Sequence, residues 1–202
     1  MGYGPIGRTH MNDMSDIVLP KLSFAGNKLK GEGIDRLSRR LGELEEIFSD
    51  KAAYAALPAD QLVYEVESSF PVSDGTEGGL FLGITYIHPG TVGQEYFMTR
   101  GHFHKIRNRA EIYICMEGEG MLILMNEDKT KTWAEKMEPG SIHYINGYTA
   151  HRTANTGDTL LSFGAFWPSD AGHDYDIISR FGFSKILVDV NGRPTLINKP
   201  SL

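Results

Sequence analysis

The stretch Thr99-Arg-Gly-His-Phe-His-Lys-Ile-Arg-Asn-Arg-Ala-Glu111, answered later by His151-Arg-Thr-Ala-Asn155, decides how this chain is read. Alternate side chains of an extended strand share a face, so His102 and His104 are expected in one cavity with Phe103 turned away. The loop between His104 and Glu111 is long enough to return along an adjacent strand. A carboxylate that opens the apolar run Glu111-Ile-Tyr-Ile-Cys-Met116 needs a partner, because burying an unpaired charge is costly. With His151 from a later strand, the expected metal cage is His102, His104, Glu111 and His151. Imidazole nitrogen and carboxylate oxygen suit first-row divalent ions and leave one or two positions open for substrate. Iron, nickel, manganese, cobalt and zinc all satisfy that description. His10, His88 and His143 lack such spacing and read as ordinary hydrogen-bonded or surface residues.

Working outward, 202 residues suffice for one structural domain with a sizeable core. The net charge of -6 and the scattered lysines and arginines argue against a nucleic-acid partner. The N-terminus lacks the apolar core of a secretory signal, and no stretch approaches the roughly 18 to 20 apolar residues of a membrane span. A cytoplasmic protein without a membrane partner is therefore expected. The single cysteine, Cys115, cannot form an internal disulfide and reads as a small buried hydrophobe.

From Gly33 to Phe48 apolar residues recur at threes and fours between charged ones, which predicts an amphipathic helix. Asp50 is expected to cap a second, short helix through Ala56 that Pro58 stops. After Asp60, β-rich runs separated by Gly, Asn, Asp and Pro fall at roughly 62–68, 79–88, 93–99, 110–116, 119–126, 131–137, 141–145, 149–154 and 159–167. They predict a mainly β sandwich or barrel. Asn191-Gly192 predicts a type I′ hairpin between 184–190 and 194–197, folded back on the barrel or paired with a second subunit. The expected partition is an arm with helices over residues 1–59 packing on a barrel of residues 60–202.

The pattern His102-x-His104, Glu111, Gly118, Pro139-Gly140 and His151-x-x-x-Asn155 resembles the two motifs of the cupin superfamily. The fuller strings Gly101-His-Phe-His104, Glu111-Ile-Tyr113, Gly118-Glu-Gly120, Ala150-His-Arg-Thr153, Asn155-Thr-Gly-Asp158 and Ala171-Gly-His-Asp-Tyr175 resemble the cupin-type glucose-6-phosphate isomerases of archaea and some bacteria. This resemblance, over about residues 60 to 180, implies a jelly-roll barrel, a double-stranded β-helix, here with an N-terminal helical segment. It implies the same four metal ligands and a sugar-phosphate substrate in a pocket lined by Tyr64, Thr85, Thr99, Gly101, Tyr113, His173 and Tyr175. Thr85, Thr99 and the Gly101 backbone are the positions it places around the phosphate. The implied reaction is aldose–ketose isomerisation, with Glu111 as general base and His173 or Tyr175 handling the oxygen-bound proton.

Apart from the resemblance, a strand threonine usually serves β-propensity and Tyr113 usually packs. His173 and Tyr175 alternate on one face of a polar segment and read as a rim pair. Lys105, Arg107 and Arg109 read as a solvated loop. Trp167 and Arg109 depart from the family pattern, as does the Asn146-Gly147-Tyr148 turn, which is expected to be more flexible. A barrel's edge strands need covering, and the extra N-terminal segment and C-terminal hairpin predict a homodimer that shares them. Two other readings stand beside the isomerase: a cupin dioxygenase using ferrous iron, and a sugar-binding cupin without turnover.

Overall fold

The structure is a computed structural model that describes residues 18–199, so His10 lies outside the described residues. The protein is mainly β. A six-stranded antiparallel sheet runs in the order Ile142–Ile145, Glu111–Glu117, Leu161–Pro168, Leu80–Ile87, Leu62–Ser69 and Ile34–Arg40. A second sheet pairs Thr132–Met137, Gly120–Asn126 and Thr149–Asn155. The two sheets are separate rather than joined into a closed barrel, and both contribute side chains to one apolar core. Period-two alternation builds that core. In Glu111–Glu117, residues 111, 113 and 115 face inward while Ile112 faces out; in Leu161–Pro168, Phe163, Ala165 and Trp167 are buried while Phe166 is exposed. Cys115 is buried and free, as its apolar surroundings predict.

The helix expected over 33–48 is not formed. Ile34–Arg40 is a strand along Leu62–Ser69, followed by two 3-10 turns, Leu41–Glu43 and Glu45–Ile47. The physical reason lies in the spacing. Leu41, Leu44 and Ile47 fall every third residue, so they share one face of a three-residue-per-turn helix, and all three are buried. Before them, the exposed backbone edge of Leu62–Ser69 takes residues 34–40 as a strand, and Leu37 stays 44% exposed. The short helix is present at Lys51–Ala55, where the Asp50 side chain accepts from the Ala53 amide at 2.9 Å.

The expected strand at 93–99 is reduced to the two-residue pairs Thr91–Val92 and Glu95–Tyr96 and a bridge from Met98 to Ala154. The C-terminal hairpin, Lys185–Asp189 with Pro194–Asn198, turns at Asn191 and Gly192, both at positive φ (55° and 76°). It folds back on its own chain, pairing Val188 with Glu95. Among the described residues no helix is long and apolar enough to cross a membrane.

Candidate active site

His102 and His151 form an antiparallel bridge, with their backbones exchanging bonds of 3.2 and 3.1 Å. Phe103–His104 pairs with His173–Asp174. Phe103 is fully buried on the opposite side, as alternation predicts, and the His102 and His104 rings lie 5.7 Å apart. Glu111 Oε2 sits 3.2 Å from His104 Nε2 and 3.0 Å from His151 Nε2. One ligand atom from each of His102, His104, Glu111 and His151 falls within 4.8 Å of the others. His104 Nδ1 donates to the Arg109 carbonyl at 2.9 Å, so a neutral His104 turns a lone pair toward the Glu111 carboxylate. His102 Nε2 is buried without a hydrogen-bond partner. Lone pairs converging on a buried carboxylate are a donor set that a divalent cation balances, so these residues fit such an ion.

The charge states of His102 and Glu111 agree with that fit. Burial, together with the neighbouring imidazoles, holds His102 well below the usual histidine range, hence neutral. Burial would raise the Glu111 carboxyl, but hydrogen bonds from His104 and His151 prevail and hold it below the usual carboxylate range. Burial would likewise lower His104, but its contacts with Glu111 and the Arg109 carbonyl raise it, which favours a proton on Nε2 shared with Glu111 that a bound ion would displace.

This cluster forms one end of a cavity of about 510 Å³. All seven residues named for the pocket, Tyr64, Thr85, Thr99, Gly101, Tyr113, His173 and Tyr175, line it, as do His102, Glu111 and His151. His104 does not line it and stands behind the cluster. Tyr64, Thr85 and Tyr113 are inward-facing residues of the six-stranded sheet, while Thr99 to His102 form the facing wall. His173 lies 4.4 Å from the His102 ring and stacks on Tyr175 at 5.9 Å and 17°. Burial lowers His173 from the usual histidine value and raises the Tyr175 and Tyr113 phenols, so at neutral pH all three are uncharged.

Arg107 and Arg109 are not a solvated run. Arg109 grips Asp170 through two bonds, 2.9 and 2.6 Å. Arg107 pairs with Asp174 and, at 3.1 Å, with Glu127, and it also donates to the His104 carbonyl. Both fasten the loop behind His104 to the segment that carries His173 and Tyr175, and neither lines the cavity. Gly147 packs on the Asn108 backbone, where a Cβ would come within 2.7 Å, and the Tyr148 amide bonds Arg107 O, so this turn is anchored. Trp167 lines the cavity, its ring 6.1 Å from that of His173. His143 is buried between Ser141 Oγ (2.9 Å) and Glu135 (2.8 Å), and His88 stands 3.6 Å from Glu65; neither lines the cavity.

Sequence reasoning missed Arg100, which lines the cavity between two of the named residues. Strict alternation would have placed it opposite Thr99 and Gly101. Gly101 at φ +80° breaks the extended run, so four consecutive residues, Thr99 to His102, meet the cavity.

The family model described as "Glucose-6-phosphate isomerase (GPI)" matches residues 38–198. The chain belongs to that family. It is 42% identical to a glucose-6-phosphate isomerase from Pyrococcus horikoshii over 171 residues, covering 84% of this chain and 89% of that one. It is 33% identical to a putative glucose-6-phosphate isomerase 2 from Rhizobium meliloti over 175 residues, 85% of this chain and 86% of that one. Among solved structures, W96Y oxalate decarboxylase of Bacillus subtilis aligns with 55% of this chain and 27% of its own at 18% identity, with a TM-score of 0.43.

Proposed function

We propose that this chain is a metal-dependent cupin isomerase that interconverts glucose 6-phosphate and fructose 6-phosphate in the cytoplasm, in glycolysis or gluconeogenesis. The observation that carries the reading is a three-histidine, one-carboxylate cluster, of which His102, Glu111 and His151 share one cavity with the uncharged pair His173 and Tyr175. The two packed sheets are read as the walls of a jelly-roll, with the cavity at its mouth.

His102, His104, Glu111 and His151 would hold the ion, Fe(II) by preference, and when bound it supplies Lewis-acid polarisation of the substrate carbonyl. Thr85, Thr99 and the Gly101 amide hold the phosphate, and Tyr64 and Tyr113 flank the sugar. Glu111, kept ionised, removes the proton carried by C2 of the aldose or C1 of the ketose. His173, neutral and beside His102, takes or returns the oxygen-bound proton, and Tyr175, kept protonated, donates to the opening ring oxygen.

The purified protein should convert fructose 6-phosphate to glucose 6-phosphate, losing activity with chelator and regaining it with a restored divalent ion. Inactivity with every ion overturns the reading. Substrate deuterated at C2 should lose part of its label to solvent, whereas complete retention at C1 would count against a solvent-exchanging enediol and favour a direct hydride shift.

The protein is further proposed to act as a homodimer. Tyr144, Ile112, Phe166 and Leu82 lie in register across the outer face of the large sheet, and the first three are 60%, 39% and 41% exposed. An apolar row of this kind supports burial against a second copy. A monomer by light scattering at micromolar concentration would remove this part of the proposal.

A further inference from the structure

We propose that Arg100, held in place by the 3-10 segment of residues 41–47, is the cation that selects a phosphorylated sugar over its neutral counterpart. The inference rests on the isomerase reading and adds a residue to the substrate's charged end.

A phosphate monoester enters a largely buried cavity as a dianion and needs compensating charge there. Glu111, which also lines the cavity, contacts His104 and His151 and offers no positive charge to a phosphate. Among the described residues, Arg100 is the one lysine or arginine that lines the cavity. The nearby basic loop is committed elsewhere, Arg107 to Asp174 and Glu127 and Arg109 to Asp170. Arg100 lies between Thr99 and Gly101, beside hydroxyl and amide donors suited to the same oxygens, and its guanidinium stands 6.0 Å from the Tyr175 ring.

Its geometry is fixed from outside the cavity. Arg100 Nη2 donates to the Glu43 carbonyl at 2.8 Å, and Nε stands 2.8 Å from Glu46 Oε1. Both anchors come from the 3-10 turns, whose Leu41, Leu44 and Ile47 are buried in the core. Nη2 is thus hydrogen-bonded and Nε held by charge alone, and among the described residues Nη1 has no protein partner. A fork secured on one side and open on the other is pre-organised for a tetrahedral anion, since little rotamer freedom remains to be lost on binding. The Glu46 carboxylate is 33% exposed, so solvent screens it and the guanidinium keeps most of its pull on a dianion.

The test is Arg100→Met, with Arg100→Lys and Glu46→Gln beside it. Binding of inorganic phosphate to the purified protein is read by calorimetry, and KM and kcat are read with fructose 6-phosphate. Arg100→Met should weaken phosphate binding and raise KM by about ten- to a hundredfold while kcat falls far less, the range of a hydrogen bond to a charged group. Arg100→Lys should recover part of the loss, because it keeps the charge without the fork. Glu46→Gln should raise KM by a smaller factor with its Tm near wild type. Unchanged phosphate affinity in Arg100→Met, or a fall confined to kcat, overturns the inference. Phosphate binding is read without turnover, so loss of binding in Arg100→Met of a protein that converts no sugar would sustain the anion site and sink the isomerase reading alone.

Discussion

Two glycines of matched backbone conformation isolate what packing contributes beside the histidine cluster. Gly101 and Gly140 have φ of +80° and +88°. An alanine Cβ at 140 meets nothing within 4 Å, whereas at 101 it falls 3.0 Å from Arg152 Cβ, 3.0 Å from Phe183 Cε2 and 3.2 Å from Arg152 Nε. Left-handed backbone costs an L-residue about 1–2 kcal/mol, a penalty common to both substitutions. The smaller gain from a stiffer unfolded chain is also common, so it cancels in the comparison. At 101 the side chains of Arg152 and Phe183 must also give way. Both are buried, and the guanidinium lies 4.0 Å from the Phe183 ring, so overpacking adds about 1–3 kcal/mol. Gly140→Ala should therefore lose about 1–2 kcal/mol and Gly101→Ala about 2–5 kcal/mol in urea unfolding monitored by circular dichroism. Arg152 adjoins His151, so Gly101→Ala should also weaken binding of a titrated divalent ion while Gly140→Ala leaves it unchanged. Equal losses at the two sites would refute the packing argument.

Three further outcomes follow from the geometry. Burial raises the Glu67 carboxyl, but bonds from the Leu29 amide (2.8 Å), the Tyr86 hydroxyl (2.9 Å) and Arg36 outweigh it and hold it below the usual range. Its folded value is depressed, so its stabilisation is full above the ordinary carboxylate range and fades as pH falls through the lowered value. Glu67→Gln should lose about 2–4 kcal/mol at pH 7, nearly all from the two buried bonds, and the gap to wild type should narrow in acid; a gap independent of pH would contradict this. Leu44→Ala, at a fully buried site, should cost about 2–5 kcal/mol by chemical denaturation. Leu37→Ser, at a site 44% exposed, should stay within about 1 kcal/mol, whereas comparable losses would restore the helical reading of that segment. Asp170→Asn should lower kcat/KM by up to about a hundredfold with little change in Tm, because it releases the segment that positions His173. The charge-swapped pair Arg109→Asp with Asp170→Arg should recover part of that activity, and no recovery would mean the pair does not position the segment.

The clustering of the histidines with Glu111 was more legible than the architecture around them. His-x-His needs only the two-residue repeat of an extended chain, and a carboxylate opening an apolar strand announces a buried partner, so the cluster could be read locally. Asn191-Gly192 was equally local, because its positive φ angles admit one tight turn. The segment 33–48 was not, since spacings of three and four serve both a 3.6-residue helix and a strand running into 3-10 turns. What decides between them is a neighbouring strand with a free edge, which lies some thirty residues away. Arg100 escaped notice for a related reason, that a single left-handed glycine suspends the alternation on which the reading relied. The clasps from Arg107 and Arg109 depend on Asp170 and Asp174, more than sixty residues distant, and no local pattern connects them.

The order of the large sheet bears on how the chain comes off the ribosome. Leu161–Pro168 lies between Leu80–Ile87 and Glu111–Glu117, so its last-made strand closes a seam between strands made much earlier. Until residue 168 has emerged, both older strands present bare edges of unpaired amides and carbonyls, an invitation to pairing between nascent chains. The wall that carries Trp167 and Phe163 is missing for the same interval. The protein is therefore most exposed to misassembly during the last stages of synthesis, and most responsive there to chaperones that shield open strands.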